Sequence, residues 1–299
     1  MARPGGVGGV GCVEQGADVS FTSGVVGTSD GVDINYLEEG TGQVLLLLPG
    51  WSQTAAMFRG QLEGLSDRFR VIALDHRGHG DSSKPEYGYR ISRLSKDLRE
   101  FILALDLDEI TLLGNSMGAS VIWGYWNLYG SDRVRRMVID DEPAVLTLRD
   151  TETDETRADV GELFPWPALV ETCDSLAGSD GVQFTHGMIG NMLSDQLAPD
   201  VQEWVIAENL KLPRKHAATL LFDHSLEDWR DVIPRINVPT LVISGKGSVA
   251  PWKSQVWIHE QIPGSSVEIF EVADGGHHFS FMENPSGFNR VLADFMTSS

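Results

Sequence analysis

The residues best suited to chemistry begin with a Gly-Asn-Ser-Met-Gly pentapeptide at positions 114–118. An apolar run at 110–113 precedes it, and a segment with helical character at 119–129 follows it. Between a strand and a helix, glycines two positions on either side of a serine allow a tight turn, because they have no Cβ. The pattern predicts that Ser116 is a nucleophile at the apex of this turn. The alternative is a glycine-rich turn with an incidental serine.

The base that a serine nucleophile requires is expected in a later loop. A serine hydroxyl is a weak nucleophile at neutral pH unless a base takes its proton. His277 and His278 follow an apolar, strand-like run at 267–272. Because adjacent side chains in a loop usually point apart, only one of the two can serve. Two surface histidines without a catalytic role are the alternative.

The acid that orients the base is expected at the end of another strand. One position for it, the loop that contains Ser248, has no carboxylate, and a serine cannot supply the negative charge that stabilises an imidazolium. Acidic residues instead follow the strand-like run at 134–139. We therefore predict Asp141 as the acid, with Asp140 as the second candidate. The alternative is that these carboxylates only cap or solvate their loop.

Strand-like and helical patterns alternate over most of the chain and must position these residues. The apolar runs typical of strands occupy residues 19–26, 32–38, 44–48, 69–74, 110–113, 134–139, 240–244 and 267–272. Helical patterns occupy residues 55–65, 91–105, 119–129, 252–261 and 288–296. Such alternation predicts an α/β fold with a mostly parallel sheet of eight strands and flanking helices.

The alternation stops between the sixth and seventh strand-like runs, where only helical patterns occur. We predict that residues 144–234 form a helical lid inserted after the sixth strand, and that residues 19–143 and 235–299 form the core. Residues 1–18 are typical of a flexible, glycine-rich tail.

Ligands of such sheets bind outside the carboxyl ends of the strands, so residues that follow strands should meet there. Ser116, Trp51, Asp141 and His278 each follow a predicted strand. An apolar lid over that edge normally lines a substrate pocket, although at least half of its apolar residues should serve packing. The predicted substrate contacts are Trp51, Trp166, Phe184, Met188 and Met192.

Composition limits the partners of the chain. A formal net charge of −20 over 299 residues repels nucleic-acid phosphates and anionic lipids. The chain has no apolar run long enough to span a membrane, and its beginning lacks the hydrophobic segment of a signal peptide. Two distant cysteines indicate no disulfide framework. We expect a cytoplasmic protein that binds a small molecule rather than nucleic acid or membrane; a homodimer is an open option.

Taken in order, these motifs resemble the α/β-hydrolase superfamily, in the branch of esterases, lactonases and cofactor-free haloperoxidases or perhydrolases. The resemblance covers residues 30–297 and implies an α/β-hydrolase fold. Besides the pentapeptide and the histidine loop, it rests on Leu48-Pro49-Gly50-Trp51, Asp75-His76-Arg77-Gly78-His79-Gly80-Asp81-Ser82 and Asp228-Trp229-Arg230-Asp231.

The resemblance also implies roles for individual residues. His278 precedes Glu283 by five positions, as in the H-F-x-x-x-E-x-P ending of many such enzymes, which favours His278 over His277 as the base. The backbone N–H groups of Trp51 and Met117 are implied as the oxyanion hole.

The chain departs from the usual family pattern at two positions. Pro49 stands where a histidine is common, and Asn115 stands where a histidine often precedes the serine. Neither departure removes a catalytic group. A metal site at His76, His79 and His277 has little support from the spacing, so we predict neither a metal nor a cofactor.

The implied function is a serine hydrolase that cleaves an ester or lactone of a largely apolar small molecule through an acyl-enzyme. One alternative is a perhydrolase or haloperoxidase, in which peroxide intercepts the acyl-enzyme. Another is a cofactor-independent ring-cleaving dioxygenase, but Gln53 replaces a histidine of those enzymes. A non-catalytic binder is disfavoured by the intact Ser116, Asp141 and His278.

Overall fold

One sheet of eight strands forms the centre of the described part of the chain. The computed structural model describes residues 21–298, and the predicted tail at 1–18 lies outside them. The strands are β1 (Thr22–Gly27), β2 (Asp33–Glu39), β3 (Val44–Leu48), β4 (Arg70–Leu74), β5 (Ile110–Asn115), β6 (Val134–Asp140), β7 (Thr240–Gly245) and β8 (Ser266–Phe270). Their order across the sheet is β1-β2-β4-β3-β5-β6-β7-β8.

The sheet is parallel except at one side. β1 pairs antiparallel with β2, and β2 with β4, whereas β4-β3, β3-β5, β5-β6, β6-β7 and β7-β8 are all parallel pairs. β3 lies between β4 and β5 and all its residues are buried, which explains its continuous Val-Leu-Leu-Leu-Leu sequence. The predicted α/β fold with a mostly parallel, eight-stranded sheet is confirmed.

Helices connect the strands and cover the sheet. They are α1 (Arg59–Leu65), α2 (Ile91–Ala104), α3 (Met117–Tyr129), α4 (Asp154–Val160), α5 (Trp166–Ala177), α6 (Gly181–Gly190), α7 (Pro199–Asn209), α8 (Arg214–Ser225), α9 (Trp252–Gln261), α10 (Ser280–Glu283) and α11 (Pro285–Thr297). α2 packs against α3, and α1 packs against α11. Among residues 21–298, no helix has both the length and the apolar character needed to cross a bilayer.

Helices α4 to α8 lie between β6 and β7, after the sixth strand as the sequence predicts. We call this segment the helical insertion. An isolated antiparallel bridge between Val145 and Asp228 joins its two ends. α5 packs against α8, and α6 packs against α5 and α7. Both ends of the insertion therefore leave the core at the same place, next to the end of β6.

Several element boundaries near the carboxyl edge of the sheet differ from the predicted ones by one or two residues, and those of α3 and β8 are among them. α3 begins at Met117 rather than at residue 119, because Ser116 is its N-cap. β8 ends at Phe270 rather than at residue 272, because Val272–Asp274 forms a 3-10 turn. The turn leads the chain back toward the end of β7, where the histidine loop lies.

Candidate active site

Ser116 occupies a strained turn between β5 and α3. Its φ of 51° and ψ of −130° lie outside the regions that L-residues normally adopt. The Ser116 N–H donates to the Asp140 carbonyl oxygen at 2.8 Å, which ties the turn to β6. A Cβ on Gly114 would lie 2.3 Å from the Gly118 carbonyl carbon, so the turn closes only with glycine there. The pentapeptide thus has the sharp geometry that the sequence predicts.

Asp141 and His278 form a buried acid–histidine pair. Asp141 Oδ2 lies 2.7 Å from His278 Nδ1, and the two side chains are 1% and 7% exposed. Because a carboxylate only accepts hydrogen bonds, Nδ1 carries the proton and Nε2 of the neutral ring is free to take another. The neighbouring His277 instead packs against Gly247. The structure thus brings His278, rather than His277, to the acid.

Two serines at the end of β7 hold the Asp141 carboxylate. The Ser244 hydroxyl donates to Oδ1 at 2.5 Å, and the Ser248 hydroxyl donates to Oδ2, the oxygen that also contacts His278. The Asp141 N–H donates to the Ile243 carbonyl oxygen at 2.9 Å. Ser248 stands where a carboxylate was expected, and it supports an acid that comes from the neighbouring strand. The sequence showed that this loop has no carboxylate, but it did not predict the hydrogen bonds from Ser244 and Ser248 to Asp141.

Asp140, the second candidate for the acid, contacts the turn at residues 114–118, which we call the elbow, instead of His278. Its Oδ2 accepts from Asn115 Nδ2 at 2.8 Å, and its Oδ1 has no partner among the described residues. Complete burial and the nearby Asp141 carboxylate raise the pKa of Asp140 well above its usual range. Successive residues at a strand end point in opposite directions, which explains why only Asp141 reaches His278.

A hydrogen-bonded chain of amides links the loops behind the serine. Gln53 Oε1 accepts from the Gly50 N–H at 3.0 Å, and Gln53 Nε2 donates to Asn115 Oδ1 at 2.9 Å. Asn115 Nδ2 also donates to the His278 carbonyl oxygen at 3.3 Å. Asn115, which departs from the family pattern, therefore fixes the loop after β3, the elbow and the histidine loop relative to one another.

The predicted oxyanion-hole donors, the N–H groups of Trp51 and Met117, belong to two chain segments that adjoin Ser116. A Cβ on Gly50 would lie 3.0 Å from the Ser116 Cβ, so the loop that continues to Trp51 passes directly beside the serine. Met117 is the first residue of α3, and N–H groups in the first turn of a helix have no partner within the helix. The positive end of the α3 dipole also favours negative charge there. This arrangement is suited to an oxyanion beside Ser116.

Two buried histidines hold the loop after β3. His76 Nε2 lies 3.1 Å from the Pro49 carbonyl oxygen, and His79 Nε2 accepts from the Ser52 N–H at 3.1 Å. Burial lowers the pKa of His76 to about 3 and that of His79 to about 4, so both rings are neutral at pH 7. Both rings face backbone groups. Residues 21–298 contain no cluster of three or more His, Cys, Asp or Glu side chains that could hold a metal ion.

Ser116, Asp141 and His278 all line one cavity of about 50 Å³ beneath the helical insertion. Within the described residues, the Ser116 hydroxyl makes no hydrogen bond to His278; in ligand-free enzymes this contact is often loose. The other lining residues are Trp51, Gln53, Glu142, Pro143, Leu146, Leu163, Phe164, Met188, Ile189, Met192, Leu221, His224, Val249, Ala250 and Phe279.

The cavity contains three of the five predicted substrate contacts. Trp51, Met188 and Met192 line it. Trp166 lies outside it, 48% exposed, with its ring 6.0 Å from that of Phe222, because it starts α5 on the outer surface of the insertion. Phe184 packs against the apolar core and is not part of the lining. The structure therefore does not bring Trp166 or Phe184 to the site.

The most informative lining residues that the sequence did not single out are polar. Glu142 directly follows Asp141, and His224 lies in the segment between the sixth and seventh strands with no motif around it. Both are buried, and they contact each other at 2.6 Å. Neither residue lies in a motif that points to a partner, so only the fold reveals the pair.

Known proteins with similar sequences and structures match nearly the whole chain. The family model described as alpha/beta hydrolase fold matches residues 43–285. A putative non-heme chloroperoxidase from Synechocystis sp. is 29% identical over 273 residues, which cover 89% of this chain and 95% of that one. A bromoperoxidase structure from Bacillus anthracis has a TM-score of 0.84 at 24% identity, and covers 93% of this chain and 100% of its own. An esterase structure from Exiguobacterium antarcticum has a TM-score of 0.79 at 27% identity, with 92% and 99% covered.

Proposed function

Because the chain belongs to the alpha/beta hydrolase fold family, we propose that it is a serine hydrolase that cleaves a carboxylic ester or lactone. One observation carries the proposal: Ser116, in a strained elbow, lines the same cavity as a buried Asp141–His278 pair whose atoms lie 2.7 Å apart. This is the set of groups that turns a serine hydroxyl into a nucleophile.

The proposed reaction proceeds through an acyl-enzyme. Ser116 Oγ attacks the carbonyl carbon while its proton passes to His278 Nε2, and Asp141 keeps Nδ1 protonated and stabilises the imidazolium. The Trp51 and Met117 N–H groups hold the oxyanion, which collapses and expels the alcohol with the proton from His278. Water then attacks the acyl-enzyme by the same steps and releases the acid. A lactone is a cyclic ester, so its ring opens in the same way.

The cavity lining supports an uncharged and largely apolar substrate. Most of its side chains are aliphatic, aromatic or methionine, and none of the described lining residues is Lys or Arg. The Asp141 and Glu142 carboxylates also repel anions. At about 50 Å³ the cavity is far smaller than typical ligand pockets of roughly 300 Å³ or more, so substrate entry requires side chains to move. The flexible Met188 and Met192 are suited to this.

The proposal predicts that Ser116→Ala abolishes ester and lactone turnover. The measurement is kcat/KM for p-nitrophenyl esters of increasing chain length and for a lactone panel, on wild type and variant. We expect wild-type activity and a loss of about 10⁶-fold in the variant, because no other group can form the acyl-enzyme. Ser131→Ala is the control, since it removes an exposed serine hydroxyl that lies outside the cavity. Equal activity of wild type and Ser116→Ala contradicts the mechanism.

Perhydrolysis is a second candidate, favoured by the resemblance to a putative non-heme chloroperoxidase. In this reaction hydrogen peroxide, instead of water, attacks the acyl-enzyme. The acyl group passes to the peroxide as a peracid and Ser116 is freed. The peracid then oxidises a halide without a metal. With acetate, hydrogen peroxide and bromide, we expect bromination of monochlorodimedone that is lost in Ser116→Ala. Bromination that persists in this variant excludes the acyl-enzyme route.

A further inference from the structure

A second acid–histidine pair lines the same cavity, and one of its members comes from the helical insertion. Glu142 Oε1 lies 2.6 Å from His224 Nε2, and both side chains are 2% exposed. Glu142 follows Asp141 directly, and His224 lies near the end of α8. The acyl transfer proposed above uses neither residue.

The hydrogen bonds around Glu142 determine which nitrogen of His224 carries a proton. A carboxylate only accepts, so His224 Nε2–H donates to Glu142 Oε1, and the Ser120 hydroxyl donates to the same oxygen at 2.8 Å. Trp229 Nε1–H donates to the Ser120 oxygen at 3.1 Å, which leaves the Ser120 proton for Glu142. In the neutral ring of His224, Nδ1 is therefore an acceptor.

That acceptor has no partner in the protein. Among residues 21–298, His224 Nδ1 is buried and makes no hydrogen bond, although its other nitrogen is well bonded. Buried acceptors without a partner are costly and uncommon. Since His224 lines the cavity, a bound molecule can supply the missing donor.

The Glu142–His224 pair lies close to the proposed nucleophile, Ser116. Ser120, which contacts Glu142, lies one helical turn beyond Ser116, or about 6 Å along the axis of α3. Because Ser116 and His224 line the same cavity, one bound molecule can present a carbonyl to Ser116 and a donor to His224. Because Asp141 and Glu142 are both acidic and the described lining has no Lys or Arg, a neutral donor fits better than a carboxylate.

We propose that His224 Nδ1 accepts a hydrogen bond from a hydroxyl or amide N–H that the substrate carries a few bonds from its scissile carbonyl. The enzyme would thus select hydroxylated or amide-bearing esters or lactones over purely aliphatic ones. This inference relies on the proposed function for the identity of the cavity as the substrate pocket. Glu142 positions the ring and does not contact the substrate.

Two substitutions of His224 separate this role from a purely structural one. In His224→Gln the amide keeps a donor toward Glu142 but loses the atom that corresponds to Nδ1. In His224→Asn the amide takes the place of Nδ1 and loses the contact with Glu142. If His224 only stabilises the fold through Glu142, His224→Gln should be the milder change. If His224 contacts the substrate, only His224→Asn should keep the preference for hydroxylated esters.

The assay compares matched esters within each variant, so that losses in overall activity cancel. The first pair carries the hydroxyl on the acyl side and consists of p-nitrophenyl 6-hydroxyhexanoate and p-nitrophenyl heptanoate. The second pair carries it on the alcohol side and consists of 6-hydroxyhexyl acetate and heptyl acetate. We expect wild type to favour the hydroxylated member of one pair by about tenfold in kcat/KM, the effect of one hydrogen bond. His224→Gln should lose this preference, and His224→Asn should retain part of it. Leu221→Val, on the same helix, should lower both members alike.

Binding to Ser116→Ala tests the subsite without chemistry. Calorimetry with the same esters should show the same preference for the hydroxylated member even though no turnover occurs. If the esters are not hydrolysed but this preference is present, the proposed function fails while the subsite stands. A preference that is absent in wild type, or unchanged in His224→Gln, overturns the subsite. A preference for the p-nitrophenyl monoester of adipate overturns the assignment of a neutral donor.

Discussion

At the scale of single residues, the site depends on one carboxylate that serves three donors. Asp141 accepts from Ser244, Ser248 and His278. Ser248 and His278 share its Oδ2, so the Ser248 side chain lies close to His278 Nδ1. A carboxylate on residue 248 could therefore contact the same nitrogen. In the proposed mechanism the acid is the carboxylate that contacts His278 Nδ1, and the ends of two neighbouring strands can provide it.

We predict that Asp141→Asn lowers kcat by about 10⁴-fold, because the amide no longer stabilises the imidazolium or enforces its tautomer. Adding Ser248→Asp should recover at least about tenfold of this loss by restoring the charge. The double variant with Ser248→Asn, which has the same shape but no charge, should recover nothing. If Asp141→Asn/Ser248→Asp and Asp141→Asn/Ser248→Asn have equal kcat values, a carboxylate at position 248 cannot replace the one at position 141.

Sequence reasoning could point to a candidate nucleophile and a candidate base, because both lie in local patterns. Gly114 and Gly118 indicate the elbow, and the empty position at Ser248 indicated that the acid lies elsewhere. The choice between Asp141 and Asp140 required the fold, since it depends on which way each side chain leaves β6. The pairing of Glu142 with His224 also required the fold.

At the scale of elements, the strands were predictable and the pocket was not. Continuous apolar runs such as β3 identify buried parallel strands, and their carboxyl ends identify the edge that holds the site. The insertion was recognised by its helical pattern, but which of its faces meets the cavity depends on packing between helices. The sequence therefore assigned Trp166 and Phe184 to the pocket together with Met188, although only Met188 lines it.

The loop after β3 gives a pH-dependent prediction for stability. Burial lowers the pKa of His76 to about 3, below its ordinary value of 6.5, so protonation favours the unfolded chain. The contribution is complete above about pH 6.5 and falls as the pH drops toward 3. At pH 5 the stability lost amounts to about 2 kcal/mol.

His76→Gln isolates this effect, because its amide can still donate to the Pro49 carbonyl but does not titrate. Urea unfolding at pH 7 and pH 5 should show that wild type loses about 2 kcal/mol more stability than the variant. Identical losses in the two proteins would show that His76 does not titrate on unfolding in this range.

At the scale of the whole molecule, a parallel sheet and a helical insertion enclose a small cavity at the strand ends. The insertion is fixed to the loop after β3 by Trp51 Nε1–H, which donates to the Ala217 carbonyl oxygen at 2.8 Å, and by the Ser52 hydroxyl, which donates to the Asn209 carbonyl oxygen at 2.6 Å. The same loop lies beside Ser116. The loop that carries the predicted Trp51 donor is thus held in place by the insertion.

The most direct test of the central claim is the covalent labelling of Ser116 by a fluorophosphonate, which reacts with activated serines. Peptide mass spectrometry should locate a single adduct on the peptide that contains Ser116. Labelling should be lost in Ser116→Ala and should slow by orders of magnitude in His278→Asn, with Ser131→Ala, an exposed serine outside the cavity, as the folded control. An adduct on another serine, or no adduct on a protein that hydrolyses esters, would contradict the assignment of Ser116 as the nucleophile.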